Sequence, residues 1–255
     1  MEQELLNFLT SDDNLRNQAV SQVEQQCSTR PDDYAKSLCA FLLNSSPNLD
    51  PQLEVQRLQL REISSLVLHK NLLSKDNNFS RITPNTLMQI SESVFSMVNS
   101  GADSMNWGLL KRSSEILVEI AVKCDQLLVF FQKIKTFQLD VFSNRKDLKG
   151  FVKQAKFGLY CLELVCEYSG DSNLIQQNLG DFLMIFEHCF TCGNSEIRSF
   201  STGAICMFLV SQAQESVGNN FQGILEGLVD VLVDSIKGKK KTNRRPGRGE
   251  GAKGA

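Results

Sequence analysis

Residues 55–73 read VQRLQLREISSLVLHKNLL, and their spacing describes one long amphipathic helix. At about 100° per residue, Leu53, Leu60, Ile63 and Val67 form an apolar stripe, which Val55, Leu66 and Leu73 widen. Glu54, Arg57, Arg61, Ser65 and His69 follow one another at steps of three, four, four and four, which makes a continuous polar ridge on the opposite face. The expectation is a helix buried on one broad side and open to a partner on the other. It would be the inner helix of one helical hairpin in a stack.

The rest of the chain repeats this plan. Residues 2–9 make a short helix with Leu5, Leu6 and Leu9, and Ser11, Asp12 or Asp13 supplies the N-cap of a second helix reaching about residue 27. Pro31 opens PDDYAKSLCAFLL at its first turn, with Tyr34, Leu38, Phe41 and Leu42 on one face, and SSPNLDP then breaks the chain ahead of the organising helix. Thr83 and Pro84 cap and open the first helix of a third hairpin, whose partner runs over about 104–123. Residues 125–142 with 146–168, and 172–190 with 195–212, make a fourth and a fifth. A last, unpaired helix covers about 220–236.

The second helices thus begin near 11, 50, 104, 146 and 195. Irregular helical pairs recurring at about 40 to 50 residues are the signature of HEAT-type repeats, each unable to bury its apolar face without a neighbour. The expected fold is all-α, a right-handed α-solenoid of five to six such hairpins over residues 1–236. Its inner helices would line a concave surface suited to large or extended partners.

Composition agrees with this class. The 255 residues are 42% apolar, enough for a core, and five prolines with few alternating β-branched runs favour helix over sheet. The formal charge of −2 hides an asymmetry, because eight of the basic residues fall within 237–255. The body before them holds 19 basic against 28 acidic residues, about −9, which favours basic partners over nucleic acid. The segment KGKKKTNRRPGRGEGAKGA is expected to be disordered. Its clusters Lys239, Lys240, Lys241, Arg244 and Arg245 look like a nuclear-localisation signal; the same composition suits nonspecific nucleic-acid contact, or no selected role at all.

The start, MEQELLNFLTSDD, is too polar for a signal sequence, and no apolar run approaches the roughly 20 residues that cross a bilayer, so no membrane role is expected. Eight cysteines sit mostly within apolar helical runs and read as reduced thiols of a cytoplasmic or nuclear protein. His188, Cys189 and Cys192 in HCFTC are the one hint of metal, but zinc needs four ligands and the other histidine is about 120 residues away, so buried thiols are the simpler reading. No nucleophile elbow, phosphate-binding glycine loop or HExxH motif appears, so no catalytic residues and no cofactor are expected. Phe130, Phe131 and Phe137 in FFQKIKTF read as core.

Four stretches resemble the N-terminal end of the importin-beta superfamily of nuclear transport receptors, most closely the importin-five (Ran-binding protein five) subgroup. They are DNLRNQA at 13–19, with Arg16 and Ala19; REISSLVLHKNLL at 61–73, with Arg61, Ser64, Ser65 and Lys70; RSSEILVEIA at 112–121; and SEIRSFSTGAICMFL at 195–209. The likeness spans about residues 2–236. It departs at His69, where the family usually has an aliphatic residue, and at Ser64 and Ser65, where it has alanine. The family's chains continue for several times this length, so the resemblance implies its Ran-binding end.

In that family the first repeats bind the GTP form of the small GTPase Ran through their inner helices, and this binding releases import cargo. The resemblance therefore implies Ran-GTP as partner, with basic cargo and nuclear-pore proteins as further partners and a location in cytoplasm and nucleus. Arg16 and Arg61 match the family's motifs, and Arg112 of the third inner helix is expected on the same wall; Glu54, Arg57, Ser65 and His69 come from the helical wheel alone. Each has a plainer reading beside it. Arg16 and Arg61 can be structural, bonding carbonyls or acids of a neighbouring hairpin; Glu54 and Arg57 can be a surface pair worth about 0.2–0.5 kcal/mol; His69 can be a solvated helix-end histidine. The competing function is a HEAT-type scaffold, an assembly chaperone or a regulatory subunit, that holds a fixed partner without nucleotide dependence. An enzyme would need a compact pocket that this pattern does not suggest.

Overall fold

The computed structural model describes residues 1–44, 50–102, 105–143, 151–169 and 172–213, together with the single positions Glu226, Val229 and Val233. Among these residues every regular element is a helix. Of the last helix expected at about 220–236, only those three positions are described, each helical and exposed; the rest of it and the basic segment 237–255 lie outside the described residues.

The chain begins with α1 (Glu2–Leu6), a short 3-10 turn (Asn7–Leu9) and α2 (Asp13–Thr29). Then come α3 (Pro31–Leu43), α4 (Pro51–Val67) running straight into a π-turn (Leu68–Leu73), the single turn α5 (Asp76–Phe79), α6 (Pro84–Gly101) and α7 (Trp107–Lys123). The second half consists of α8 (Leu127–Ser143), α9 (Val152–Tyr168), α10 (Ser172–Gln177), α11 (Leu179–Thr191) and α12 (Ser195–Ala213). The caps are local and legible. Asp12 accepts from the amides of Asn14 and Leu15, Asp50 from Gln52, Thr83 from Thr86 and Asn106 from Leu109, and prolines occupy the first turn of α3, α4 and α6.

Packing pairs these helices into hairpins α3/α4, α6/α7, α8/α9 and α11/α12, and the second helices α4, α7, α9 and α12 stack on one another in that order. The first helices stack as α3 on α6 and α8 on α11. This is the all-α solenoid expected from the repeat spacing. The first repeat is irregular, because α1 packs on α4 and α2 packs on α3 and the π-turn. A single core runs the length of the stack, from Leu5 and Tyr34 through Leu110 and Phe131 to Phe182 and Phe208. Phe130, Phe131 and Phe137 all belong to it.

Two close approaches set the spacing of the later repeats. A Cβ on Gly158 of α9 would lie 2.0 Å from Oε1 of Gln138 on α8. Gln138 is fully buried there and donates from Nε2 to the Ala155 carbonyl at 3.0 Å, so a hydrogen placed at 158 lets the glutamine pin the hairpin. A Cβ on Gly203 of α12 would lie 2.9 Å from Oε2 of Glu163 on α9.

The organising helix departs from its expected form in two ways. It is not α-helical throughout: beyond Val67 the backbone widens, and the Ser74 amide bonds the His69 carbonyl five residues back at 2.9 Å. Its faces also differ from the wheel. Leu60, Ile63, Val67 and Leu73 are buried as expected, but Leu53, Val55 and Leu66 are 48%, 56% and 44% exposed. Arg61, Ser65 and His69, expected on an open ridge, are only 1%, 2% and 5% exposed. The reason is the stack itself: α4 is covered by α3 on one side and by α7 on the other, so a helix that looks two-faced in isolation is enclosed over most of its circumference.

Candidate interaction site

The polar ridge of α4 divides into two groups with different partners. Arg57 pairs with Glu54 and donates from Nη1 to the Asn44 carbonyl at 2.7 Å. Arg61 donates from Nε to the Leu42 carbonyl at 2.9 Å, with Met97 Sδ 3.2 Å from Nη2. Both arginines thus reach the carboxyl end of α3, Arg61 at Leu42 in its last turn and Arg57 at the capping residue Asn44, where carbonyls have no helical donor and carry the negative end of the helix dipole. Ser65 turns its hydroxyl to the Glu62 carbonyl at 2.7 Å. Burial, with Arg57 alongside, weakens the hold of Arg61 on its proton. Arg16 joins none of this; it stands on α2, is half-exposed and pairs with Asp13 in its own turn.

His69 and Arg112 do come together, at the junction of the second and third repeats. The π-turn carries the imidazole against α7, where Nδ1 lies 3.0 Å from Arg112 Nη1 and 3.5 Å from Glu115 Oε2, and Nε2 lies 3.9 Å from Glu119 Oε2. Arg112 also pairs with Glu115, and Tyr160 of α9 donates to the other Glu115 oxygen at 3.3 Å. Lys123 reaches Glu119 at 3.3 Å, Asp76 of α5 at 2.7 Å and the Leu73 carbonyl at the end of the π-turn at 2.6 Å. Desolvation, with Lys70, Arg112 and Lys123 nearby, pushes the His69 pKa down to about 4. The ring is therefore neutral near pH 7, and Nδ1 accepts from Arg112. A solvated helix-end histidine is the reading that this burial overturns.

Glu115, Glu119 and Lys123 were not among the residues singled out from the sequence, although a signal for them exists. With Arg112 they recur at steps of three, four and four, a charged stripe along α7 that faces the π-turn. Glu62 likewise accepts from the Asn106 side chain at the start of α7.

The residues of α4 that do face solvent, Val55, Gln59, Glu62 and Leu66, continue into Lys70 of the π-turn as a different ridge, about a third of a turn from the expected one. Along α9 the side chains left partly open between residues 155 and 167 are Lys156, Tyr160, Glu163 and Glu167. Trp107 of α7 meets Tyr160 at 5.9 Å and Phe200 of α12 at 4.9 Å between ring centroids, and the Lys156 ammonium lies 5.1 Å over both Trp107 and Phe200 while pairing with Glu196. A partly open row of aromatics and charges therefore crosses three successive second helices. Burial and the neighbouring Glu167 raise the pKa of Glu163, which Lys111 offsets in part.

On the other side of the stack a groove of about 710 Å³ lies between α6 and α8, floored by Ile120, Ala121 and Cys124 and edged by exposed Met88 and Val129. All eight cysteines are unbridged. In HCFTC, Cys189 is buried, Cys192 donates to the Cys189 carbonyl at 2.9 Å and His188 stacks on Phe142. Among the described residues no three His, Cys, Asp or Glu side chains converge as metal ligands, and no helix is long and apolar enough to cross a membrane. The candidate localisation residues Lys239, Lys240, Lys241, Arg244 and Arg245 lie outside the described residues. No family model matches the chain, and no curated protein matches it.

Proposed function

We propose that the chain is a protein-binding solenoid of the nuclear-transport-receptor type, which engages the GTP form of Ran through its wall of second helices and carries or releases basic protein cargo between cytoplasm and nucleus. The observation that carries this reading is the unbroken stack α4, α7, α9 and α12, which sets side chains of four repeats side by side on one surface. The resemblance at 13–19, 61–73, 112–121 and 195–209 supplies the partner.

Burial alters which residues are assigned to that contact. Arg61, Ser65 and His69 are enclosed, so the contact on α4 and its π-turn is assigned to the exposed ridge Val55, Gln59, Glu62, Leu66 and Lys70, with Arg112, one-quarter exposed, on the next helix. Glu163 and Glu167 on α9 suit a basic cargo segment. A second reading, a scaffold for a fixed partner, is favoured by one observation: Arg57 and Arg61 serve the carboxyl end of α3.

Titration of the full chain with Ran loaded with GTP and with GDP separates the two. The receptor reading expects marked preference for the GTP form. Leu66→Glu with Lys70→Glu is expected to weaken that binding tenfold or more, about 1.4 kcal/mol, with an unchanged thermal midpoint. Equal binding of both nucleotide forms, or binding of neither, overturns it.

A further inference from the structure

The His69 junction sets three cations, Lys70, Arg112 and Lys123, and two carboxylates, Glu115 and Glu119, around one neutral ring, and one of those carboxylates is shared. Glu115 Oε2 accepts from Arg112 and lies 3.5 Å from His69 Nδ1, while the same Arg112 Nη1 is 3.0 Å from that nitrogen. The arrangement works only while Nδ1 carries no proton. A protonated ring presents an N–H at Nδ1, which cannot accept from Arg112 and has Glu115 as its nearest acceptor. Glu115 has a second hydrogen bond, from Tyr160, that keeps its carboxylate in place during such an exchange.

We propose that His69 is a proton-sensitive latch between the second and third repeats: protonation passes Glu115 from Arg112 to the imidazole and frees the Arg112 guanidinium toward the inner wall. The transfer moves one proton from solvent onto Nδ1 and breaks no covalent bond. The groups acting on the ring are Lys70 on its own turn and Arg112, Glu115, Glu119 and Lys123 on α7, with Asp76 of α5 holding Lys123 and Tyr160 of α9 holding Glu115. The helices α2 and α3 also pack on the π-turn, and among the described residues no charged side chain of either pairs with the ring. The inference does not depend on the identity of any partner.

The direction of the pH effect follows from the ring's environment. Because the folded protein holds His69 at about 4, below its ordinary value of 6.5, the unfolded chain binds more protons between those limits. The contribution to stability is complete above about pH 6.5 and is lost as the pH falls through about 4.

Two histidines make the test direct. Nuclear magnetic resonance titration of the full chain, with His188→Gln to assign the two rings, is expected to place His69 near pH 4 and to move the Arg112 side-chain signal with the same midpoint. A His69 ring titrating near 6.5, or an Arg112 signal that does not follow it, overturns the latch. Thermal melting gives an independent reading. His69→Gln keeps an acceptor for Arg112 but cannot be charged, so it is expected to lose several degrees less than the wild type between pH 6.5 and 4.5; equal losses overturn the proposal. If the variant does not fold, the titration of the wild-type ring decides.

Discussion

Arg57 and Arg61 lie one turn apart on α4 and reach the same helix end, yet their burial separates their roles. Arg57 is tied to Glu54 near solvent, and such a pair contributes little. Arg61 is 1% exposed, so its removal leaves the Leu42 carbonyl and the space around it without a donor. Arg61→Ala is expected to cost about 2–3 kcal/mol in urea denaturation, because a buried hydrogen bond from a charged group is lost and its partner is left unpaired. Arg57→Ala is expected to cost under about 1 kcal/mol. The sequence allowed Arg61 to be either a structural residue or a contact, since charge and spacing are the same in both. Only the position of the α3 terminus decides between them.

At the scale of the element, α4 and α7 are coupled by a departure from regular helix. The π-turn rotates His69 onto α7, and the charged stripe Arg112, Glu115, Glu119 and Lys123 meets it from one end to the other. Nothing in the pattern of 55–73 announces the extra residue in that turn, because periodicity averages over it; the stripe on α7 was legible, but its target was not. The hairpin α8/α9 has a simpler constraint. Gly158→Ala drives a methyl into Gln138 and is expected to destabilise by about 1–3 kcal/mol, and pairing it with Gln138→Ala is expected to recover part of the loss in a double-mutant cycle of thermal melts.

At the scale of the molecule, each hairpin buries its apolar face mainly on its neighbours, so stability is a sum of repeat and interface contributions. Phe182 makes this testable at one end. It is fully buried, 4.7 Å from Phe131 and 5.2 Å from Phe208 between ring centroids. Phe182→Ala is expected to cost about 3–5 kcal/mol and to speed amide exchange in α11 and α12, while amides of α3 and α4 keep their protection. Uniform loss of protection along the whole chain would show a single cooperative core instead.

The sequence by itself determined the helical class, the hairpin order, the first-turn proline Pro31 and the cap at Thr83, and it narrowed the first cap to Ser11, Asp12 or Asp13, because these depend on interactions within about four residues or on an apolar period that survives without knowledge of neighbours. It left the reading of the polar ridge on α4 open. Which of its faces is wall and which is interface was decided only by the tertiary structure: a helix in a stack is covered from two sides, and the angle between those sides is set by packing of α3 and α7 rather than by the order of residues along α4.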